Sequence, residues 1–377
     1  MRTIGHGRGH GRQRGQILPL FVLGLVALVG ALALIVDGGN AYVQQRGAQN
    51  GADAGANAGA DILALRLYGQ AYGDADVLGA IRSVTNPSGL GASGFYTNVF
   101  GQPIDANGNP TSPGSAVTVG SGQIPIRAQG VQIATSRTFA TTFGRVIGIG
   151  SLSAGADALA IAGKVAGGYI FPLVFPVNIT DCSGSGSLGV GMDQWQVADP
   201  GVPPNHPVGQ EYIIPLCKTA DGSFMVLNLD GVMNDCAYEV TNPTTMQFDQ
   251  FPTSVASDNG NNCAKAMADA VNQVDSGQTV LIPICDATAC NTDGGSQATY
   301  HITGVVGFYI DYMAYSNNPT NSLCQTRTGS GGNLLLTIAG NGSSSCLAGW
   351  FVRFITAGPV VPGEISPAEA VGIQLIR

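Results

Sequence analysis

The sequence predicts an α+β protein: a transmembrane helix, a helix-plus-small-sheet domain that continues from it, and a β-rich distal domain. Three observations predict this order. Residues 17–36 are apolar and carry no charge, a segment rich in Ala and Gly with helical spacing follows them, and short β-type runs punctuated by Gly, Pro and Asn begin near residue 167. We divide the chain at 1–16 (a basic tail), 17–36, 37–166 and 167–377.

The apolar run predicts a membrane anchor. Twenty residues at about 1.5 Å each span a hydrocarbon core of about 30 Å. Four arginines precede the run, and the first acid, Asp37, follows it directly. Because Lys and Arg beside a span stay in the cytoplasm, we expect a single-pass cell-membrane protein with an extracytoplasmic bulk. A cleaved signal peptide is the alternative, but such peptides have shorter apolar cores of about 7–15 residues.

Composition favours an exported structural protein. Only 11% of the 377 residues are charged, 55 are Gly and 44% are hydrophobic, which suits a loop-rich folded chain rather than a disordered one. The net charge is −8. Residues 1–36 carry +4, so the exported remainder carries −12. This acidic exterior argues against a nucleic-acid partner.

Two stripes of small residues mark the helix predicted over residues 40–72. Residues spaced by four share one face, and each Gly inside a helix costs about 1 kcal/mol relative to Ala. A repeated Gly therefore indicates a close packing partner. The partner is either the chain's own sheet or a neighbouring subunit, which would make a homo-oligomer through this helix. The stripes are Gly47, Gly51, Gly55 and Gly59, and Ala48, Ala52, Ala56, Ala60 and Ala64.

The remainder of this domain should be a second helix and a small sheet. Its predicted elements are a helix over 74–84, a loop over 86–115, a strand around 131–135, a helix over 138–147 and a strand over 152–161. One long helix followed by a small sheet is the pattern of pilin-like proteins.

The distal part should be a β-rich domain with one helix. The helix is predicted over 263–274. Strands are predicted over 171–179, 212–216, 224–229, 280–284, 299–315, 334–339 and 350–356.

All eight cysteines lie in this distal part, which predicts disulfides in an oxidising compartment. They are Cys182, Cys217, Cys236, Cys263, Cys285, Cys290, Cys324 and Cys346. Short loops close with the least entropy, so the default pairs are Cys182–Cys217, Cys236–Cys263, Cys285–Cys290 and Cys324–Cys346. Because none of these cysteines has a His partner at ligand spacing, we expect no metal bound to them.

One sequence pattern raises the alternative of a metal-dependent adhesion site. Asp181, Ser183 and Ser185 fit DxSxS, the metal-binding pattern of von Willebrand A domains, with oxygen ligands suitable for Mg²⁺. However, the following sequence lacks the alternation of strands and helices that such a domain needs. We therefore predict no metal, no cofactor, no catalytic residue and no enzymatic activity.

The N-terminal segment resembles the signature of Tad (tight-adherence) pilus-assembly proteins of the TadE/TadG-like type. The matching features are Pro19 and the apolar span, then Asp37, Tyr42 and Arg46, then the Ala-rich run from Ala52 to Ala60. The resemblance implies a membrane-anchored structural or assembly component of a Tad/Flp-type pilus or related secretion apparatus, with pilus proteins as partners. The alternative is a cell-surface adhesion protein that binds through its distal domain.

Overall fold

A computed structural model describes most of the chain, and a 51-residue helix dominates it. The helices are α1 (Ile17–Leu67), α2 (Asp74–Thr85), α3 (Cys236–Thr241) and α4 (Cys263–Val274). The described residues are 17–179, 190–192, 195–198, 212–216, 226–232, 235–242, 245–258, 263–274, 277–285, 290, 299–315, 346–366 and 368–376.

Seventeen strands are found within these described residues. Those before residue 200 are β1 (Gly91–Thr97), β2 (Gly130–Ala140), β3 (Ser151–Val165), β4 (Gly167–Tyr169), β5 (Phe175–Pro176), β6 (Asn178–Ile179), β7 (Val190–Gly191) and β8 (Val197–Ala198). The later ones are β9 (Tyr212–Pro215), β10 (Thr245–Gln247), β11 (Thr253–Ala256), β12 (Thr279–Cys285), β13 (Thr299–Ala314), β14 (Cys346–Val352), β15 (Ile355–Ala357), β16 (Val360–Val361) and β17 (Val371–Ile376). This mixture confirms the predicted α+β class.

The first sheet packs against α1 and contains strands from both ends of the folded chain. Its order is β1-β2-β3-β17-β15, and β16 also pairs with β3. Strand β17 runs antiparallel to β3 from the pair Val371–Lys164 to the pair Ile376–Leu159. The division at residue 167 stays a prediction, but the sheet beside the long helix is built from both sides of that division.

The second sheet forms the distal core. Its order is β5-β12-β13-β14-β8, with β11 also pairing with β13 and β9 with β14. Helix α4 packs beside β13, and Asn272 exchanges two hydrogen bonds with the main chain of Met313 at 2.8 and 2.9 Å. Phe351 stacks on Trp195 at 4.2 Å and meets Phe308 edge-on at 5.2 Å between ring centroids. Aromatic packing of this kind adds to the burial of apolar area.

The helix predicted over residues 138–147 is wrong. Strand β2 continues to Ala140 and pairs with β3 without a register shift from Gly130–Ile161 to Ala140–Ser151. A short 3₁₀ turn, Gly144–Ile147, connects the two strands. The spacing of Phe139, Phe143 and Ile147 suggested a helix, but β-branched residues suit strands and the long pairing with β3 prevails.

Part of the loop predicted over 86–115 is a strand, β1. Glycines made this segment resemble a loop, yet β1 pairs with β2 along its whole length. Gly94 has a structural reason, because a Cβ there would collide with the main chain of Gln132. The strand predicted over 334–339 lies outside the described residues. The elements that were not predicted are α3, β4, β7, β8, β10, β11, β16 and β17. By contrast, α2, α4, β2, β3, β9, β12, β13 and β14 lie close to their predicted places.

Candidate functional site

The Ala stripe of α1 is the face that packs against the chain's own sheet. Its five alanines, Ala48, Ala52, Ala56, Ala60 and Ala64, are completely buried. At the membrane-proximal end, the Thr135 hydroxyl of β2 donates a hydrogen bond to the Ala48 carbonyl at 2.8 Å. The Gln45 side-chain amide donates to the Gly155 carbonyl of β3 at 2.7 Å. Small side chains let the helix approach β2 and β3 closely.

Three of the four stripe glycines face side chains of the same chain. A Cβ at Gly59 would lie 2.7 Å from Val131 Cγ2, and one at Gly55 would lie 3.3 Å from Thr85 Cγ2. A Cβ at Gly51 would collide with the Leu90 side chain. These neighbours belong to β2, α2 and the segment that follows α2, so none is a second backbone pressed against the helix.

Gly47 differs, because none of the residues that the structure describes comes within 4 Å of its Cβ position from outside the helix's own turn. Packing of the stripes on neighbouring subunits therefore stays a prediction, and Gly47 is the stripe glycine with open space beside it.

Asp37 joins the end of the apolar span to the β2–β3 turn. Its carboxylate accepts hydrogen bonds from the backbone N–H groups of Thr142, Phe143 and Gly144 at 2.7, 3.0 and 2.7 Å. Only 8% of Asp37 is exposed. The sequence signal was the position of this acid directly after the span, but its distant partners could not be deduced from it.

The β2–β3 turn carries exposed apolar side chains together with the exposed Arg145, and it lies beside the last turns of the apolar span. Side chains of Leu25, Val29 and Leu34 line one wall of a groove, and Val146 and Ile149 line the other. Val146 is 84% exposed and Ile149 46%. Going down α1 from Val36 to Leu25 covers about 16 Å, so the groove runs well along the apolar segment.

Several backbone N–H groups of this turn donate hydrogen bonds to carbonyl groups of the same turn. Thr141 N–H donates to the Gly150 carbonyl at 3.2 Å, and Ile149 N–H donates to the Gly144 carbonyl at 2.9 Å. The Val146 N–H donates to the Phe143 carbonyl at 2.9 Å, and the Gly148 N–H donates to the Arg145 carbonyl at 3.1 Å. Together with the three bonds to Asp37, these bonds suit an apolar environment, where unpaired backbone groups are costly.

The other end of α1 is tied to the C-terminal segment by Tyr68. Its hydroxyl lies 2.9 Å from the Phe354 carbonyl and 2.8 Å from that of Glu369, and it accepts from Val371 N–H at 3.1 Å. Burial raises the pKa of this hydroxyl, so it stays a donor. Lys164 of β3 pairs with Glu369 at 2.8 Å.

A second group of polar side chains lies in the distal part, around α3. Asp230, Asp235 and Glu239 each present a carboxylate oxygen, and these oxygens lie within 4.8 Å of one another. Burial, followed by the nearby acids, raises the pKa of Glu239 to about 7. Burial also raises the pKa of Asp235, with Asp230 and Asp258 adding to the effect. These acids belong to no motif recognised in the sequence, although all three fall within ten residues.

The adhesion-type pattern at Asp181, Ser183 and Ser185 lies outside the described residues, so its metal role stays untested. Among the cysteines, the predicted Cys285–Cys290 disulfide is present, with 4.9 Å between the Cα atoms. Cys236 and Cys346 are also disulfide-bonded. The remaining predicted pairings involve residues or side chains outside the described part: Cys182, Cys217, Cys263 and Cys324.

Comparison with known proteins yields one match. Residues 15–61 match the family described as Tad, putative Flp pilus-assembly TadE/G-like. No curated protein and no solved structure matches the chain significantly. The match covers the apolar span and the small-residue stripes up to Ala60, and it confirms the resemblance found in the sequence.

Proposed function

We propose that this TadE/G-like chain is a membrane-anchored structural or assembly component of a Flp-type pilus or related secretion apparatus. The observation that carries the proposal is the continuity of α1. Its first part is long and apolar enough to cross a membrane, and none of that apolar window is buried within the chain. Its second part packs on the first sheet and contributes side chains to the hydrophobic core between helix and sheet. One helix therefore links a bilayer to the folded part of the chain that follows residue 36, which we call the head. No flexible joint separates the two.

The orientation we propose follows from charge. The four arginines before the span place the N-terminus in the cytoplasm. The head then lies outside the membrane, where cysteines are oxidised, and the Cys285–Cys290 disulfide agrees with this placement. Protease accessibility of the head in spheroplasts tests it, since a head protected from external protease would contradict this orientation.

The β2–β3 turn supports the membrane role. A turn that is fastened by Asp37 beside the span fits an outer bilayer boundary, with Val146 and Ile149 against acyl chains and the exposed Arg145 at the level of the headgroups. Packing of the span against pilus proteins is the alternative use of the same groove. In either case the chain acts by packing and display, and we propose no catalytic step.

The test is complementation of a deletion strain. We expect deletion to reduce piliation and surface adherence, and the wild-type gene to restore both. Val146→Asp places a charge in the groove and should complement poorly. Ile126→Asp is the matched control, because Ile126 is 64% exposed and precedes the far end of β2. Normal pili in the deletion strain would refute the proposal, and equal complementation by the two variants would refute the role of the turn.

A surface-binding protein that uses the distal part is the second candidate, and it keeps the same anchor. It predicts that deletion abolishes adherence while pili remain normal in number and length. Pilus counts by electron microscopy alongside adherence assays separate the two functions.

A further inference from the structure

Three acids around α3 form a cluster that the proposed function does not use. Asp230 lies in the turn before α3, Asp235 precedes the first residue of α3, and Glu239 lies within it. The chain thus folds three carboxylates from ten residues onto one point, with their oxygens within 4.8 Å of one another. Like charges this close repel each other unless something compensates them.

Two buried oxygens in this cluster have no hydrogen-bond partner. They are Asp235 Oδ1 and Glu239 Oε2. Glu239 is only 2% exposed, and its other oxygen accepts from the backbone N–H groups of Leu229 and Asp230. An unpaired buried carboxylate oxygen costs free energy. This second observation does not depend on the clustering, and it leaves two carboxylate oxygens available to a cation.

The surrounding charges give no compensation. The charged groups that act on the two buried carboxyls are all acids: Asp230 and Asp258 act on Asp235, and Asp235 and Asp230 act on Glu239. Asp258 is buried, and its carboxylate accepts from the Asp235 N–H at 3.2 Å. Among the residues that the structure describes, no Lys, Arg or His is among the groups acting on Asp235 or Glu239.

We propose that Asp230, Asp235 and Glu239 bind a Ca²⁺ ion. Ca²⁺ takes oxygen ligands at about 2.3–2.6 Å, so two ligand oxygens of one ion lie at most about 5 Å apart. The observed separations meet this limit without movement. Asp230 is exposed at the rim, which leaves room for water ligands and an entry path. The ion would satisfy the unpaired oxygens and neutralise the repulsion. This site does not depend on the pilus role.

The test is Ca²⁺ binding by the full-length protein in detergent, followed by calorimetry and by thermal unfolding in CaCl₂, MgCl₂ or EDTA. We expect saturable binding at one site, with a Kd of about 0.1–1 mM, as in extracellular Ca²⁺ modules. We also expect a rise of a few degrees in the melting temperature with Ca²⁺ and a smaller response to Mg²⁺, which demands shorter and more regular coordination.

Two variants and one control make the assignment specific. Asp230→Asn should weaken Ca²⁺ binding at least about tenfold. Because Asp230 is exposed, this substitution should leave the fold intact. Glu239→Gln should abolish the Ca²⁺ response while raising the melting temperature in EDTA, because the amide keeps the acceptor for Leu229 N–H and removes a buried charge. Asp249→Asn, an exposed acid elsewhere in the distal part, should bind Ca²⁺ like the wild type. Absence of binding at about 10 mM Ca²⁺, or binding unchanged in both site variants, would overturn the proposal.

Discussion

Replacing Gly59 with Ala should destabilise the head, whereas the same replacement at Gly47 should stabilise it. Both glycines lie inside α1, and Ala is favoured over Gly there by about 1 kcal/mol. At Gly47 no neighbouring residue in the described part of the chain lies within 4 Å of the new methyl group, so the whole gain should appear. At Gly59 the methyl group would lie 2.7 Å from Val131 Cγ2 and 3.2 Å from Ile81 Cδ1, well inside the optimal carbon separation of about 3.5–4.0 Å.

The clash at Gly59 cannot relax easily. Val131 is fully buried in β2, and its β-branched side chain has little rotamer freedom. Overpacking of a core costs about 1–3 kcal/mol, which cancels or exceeds the gain in helix propensity. The net change at Gly59 should lie between zero and a loss of about 2 kcal/mol, so the two variants should differ by about 1–3 kcal/mol.

The assay is thermal unfolding of the full-length protein in detergent, followed by circular dichroism. The expected order of melting temperatures is Gly47→Ala above the wild type, and Gly59→Ala at or below it. Gly55 is a useful third position, because its neighbours at 3.3–3.5 Å tolerate a methyl group but not an isobutyl group, so Gly55→Leu should cost more than Gly55→Ala. If Gly59→Ala is as stable as Gly47→Ala, the stripe does not pack as described.

Four further results are expected. Asp37→Ala removes the acceptor of three N–H groups and should cost about 1–3 kcal/mol, seen as faster amide exchange at Thr142–Gly144; unchanged exchange would contradict the role of Asp37. Tyr68→Phe should lower the unfolding free energy by about 1–2 kcal/mol, and an unchanged melting temperature would refute the Tyr68 link. Replacing Cys285 and Cys290 with Ala opens a loop with a sequence separation of 5 and should cost about 2 kcal/mol, measurable against the wild type without reductant. In EDTA, stability should fall as pH rises from about 4.5 through about 7, because the folded pKa of Glu239 is raised above its unfolded value; Glu239→Gln should remove this slope.

The sequence predicted the elements that depend on local pattern. The charge-free run predicted the start of α1, and the four-residue spacing of alanines predicted a packed face. Alternating apolar residues predicted β2 and β3, and a β-type run bounded by Gly, Pro and Asn predicted β13. The sequence also indicated close neighbours for the stripe glycines, and Gly51, Gly55 and Gly59 have them. The sequence could not identify these neighbours, because Leu90, Val131 and the side chains of α2 contact the helix only through long-range contacts in the fold.

The errors have the same origin. Strand β1 exists because β2 offers it an edge, and its glycines allow close approach rather than forming a loop. Residues 138–140 are extended because β3 pairs with them, whatever their helical spacing. Strand β17 enters the first sheet from more than 200 residues away. The acid cluster needs the fold of α3 to bring its oxygens together, although the density of acids over 230–239 was a usable signal.

The short C-terminal segment over residues 369–371 links the membrane helix to the distal sheet. Backbone groups of Glu369 and Val371 contact the Tyr68 hydroxyl at the end of α1. The Glu369 side chain pairs with Lys164 of β3, and Ala370 N–H donates to the Val305 carbonyl of β13 at 2.7 Å. One short segment therefore contacts the anchor helix, the first sheet and the second sheet. Because these contacts are buried or ion-paired, they hold the distal sheet at a defined place relative to α1 and the first sheet. A fixed placement suits a subunit that packs into an assembly, whereas a ligand-capturing domain would function equally well on a flexible tether.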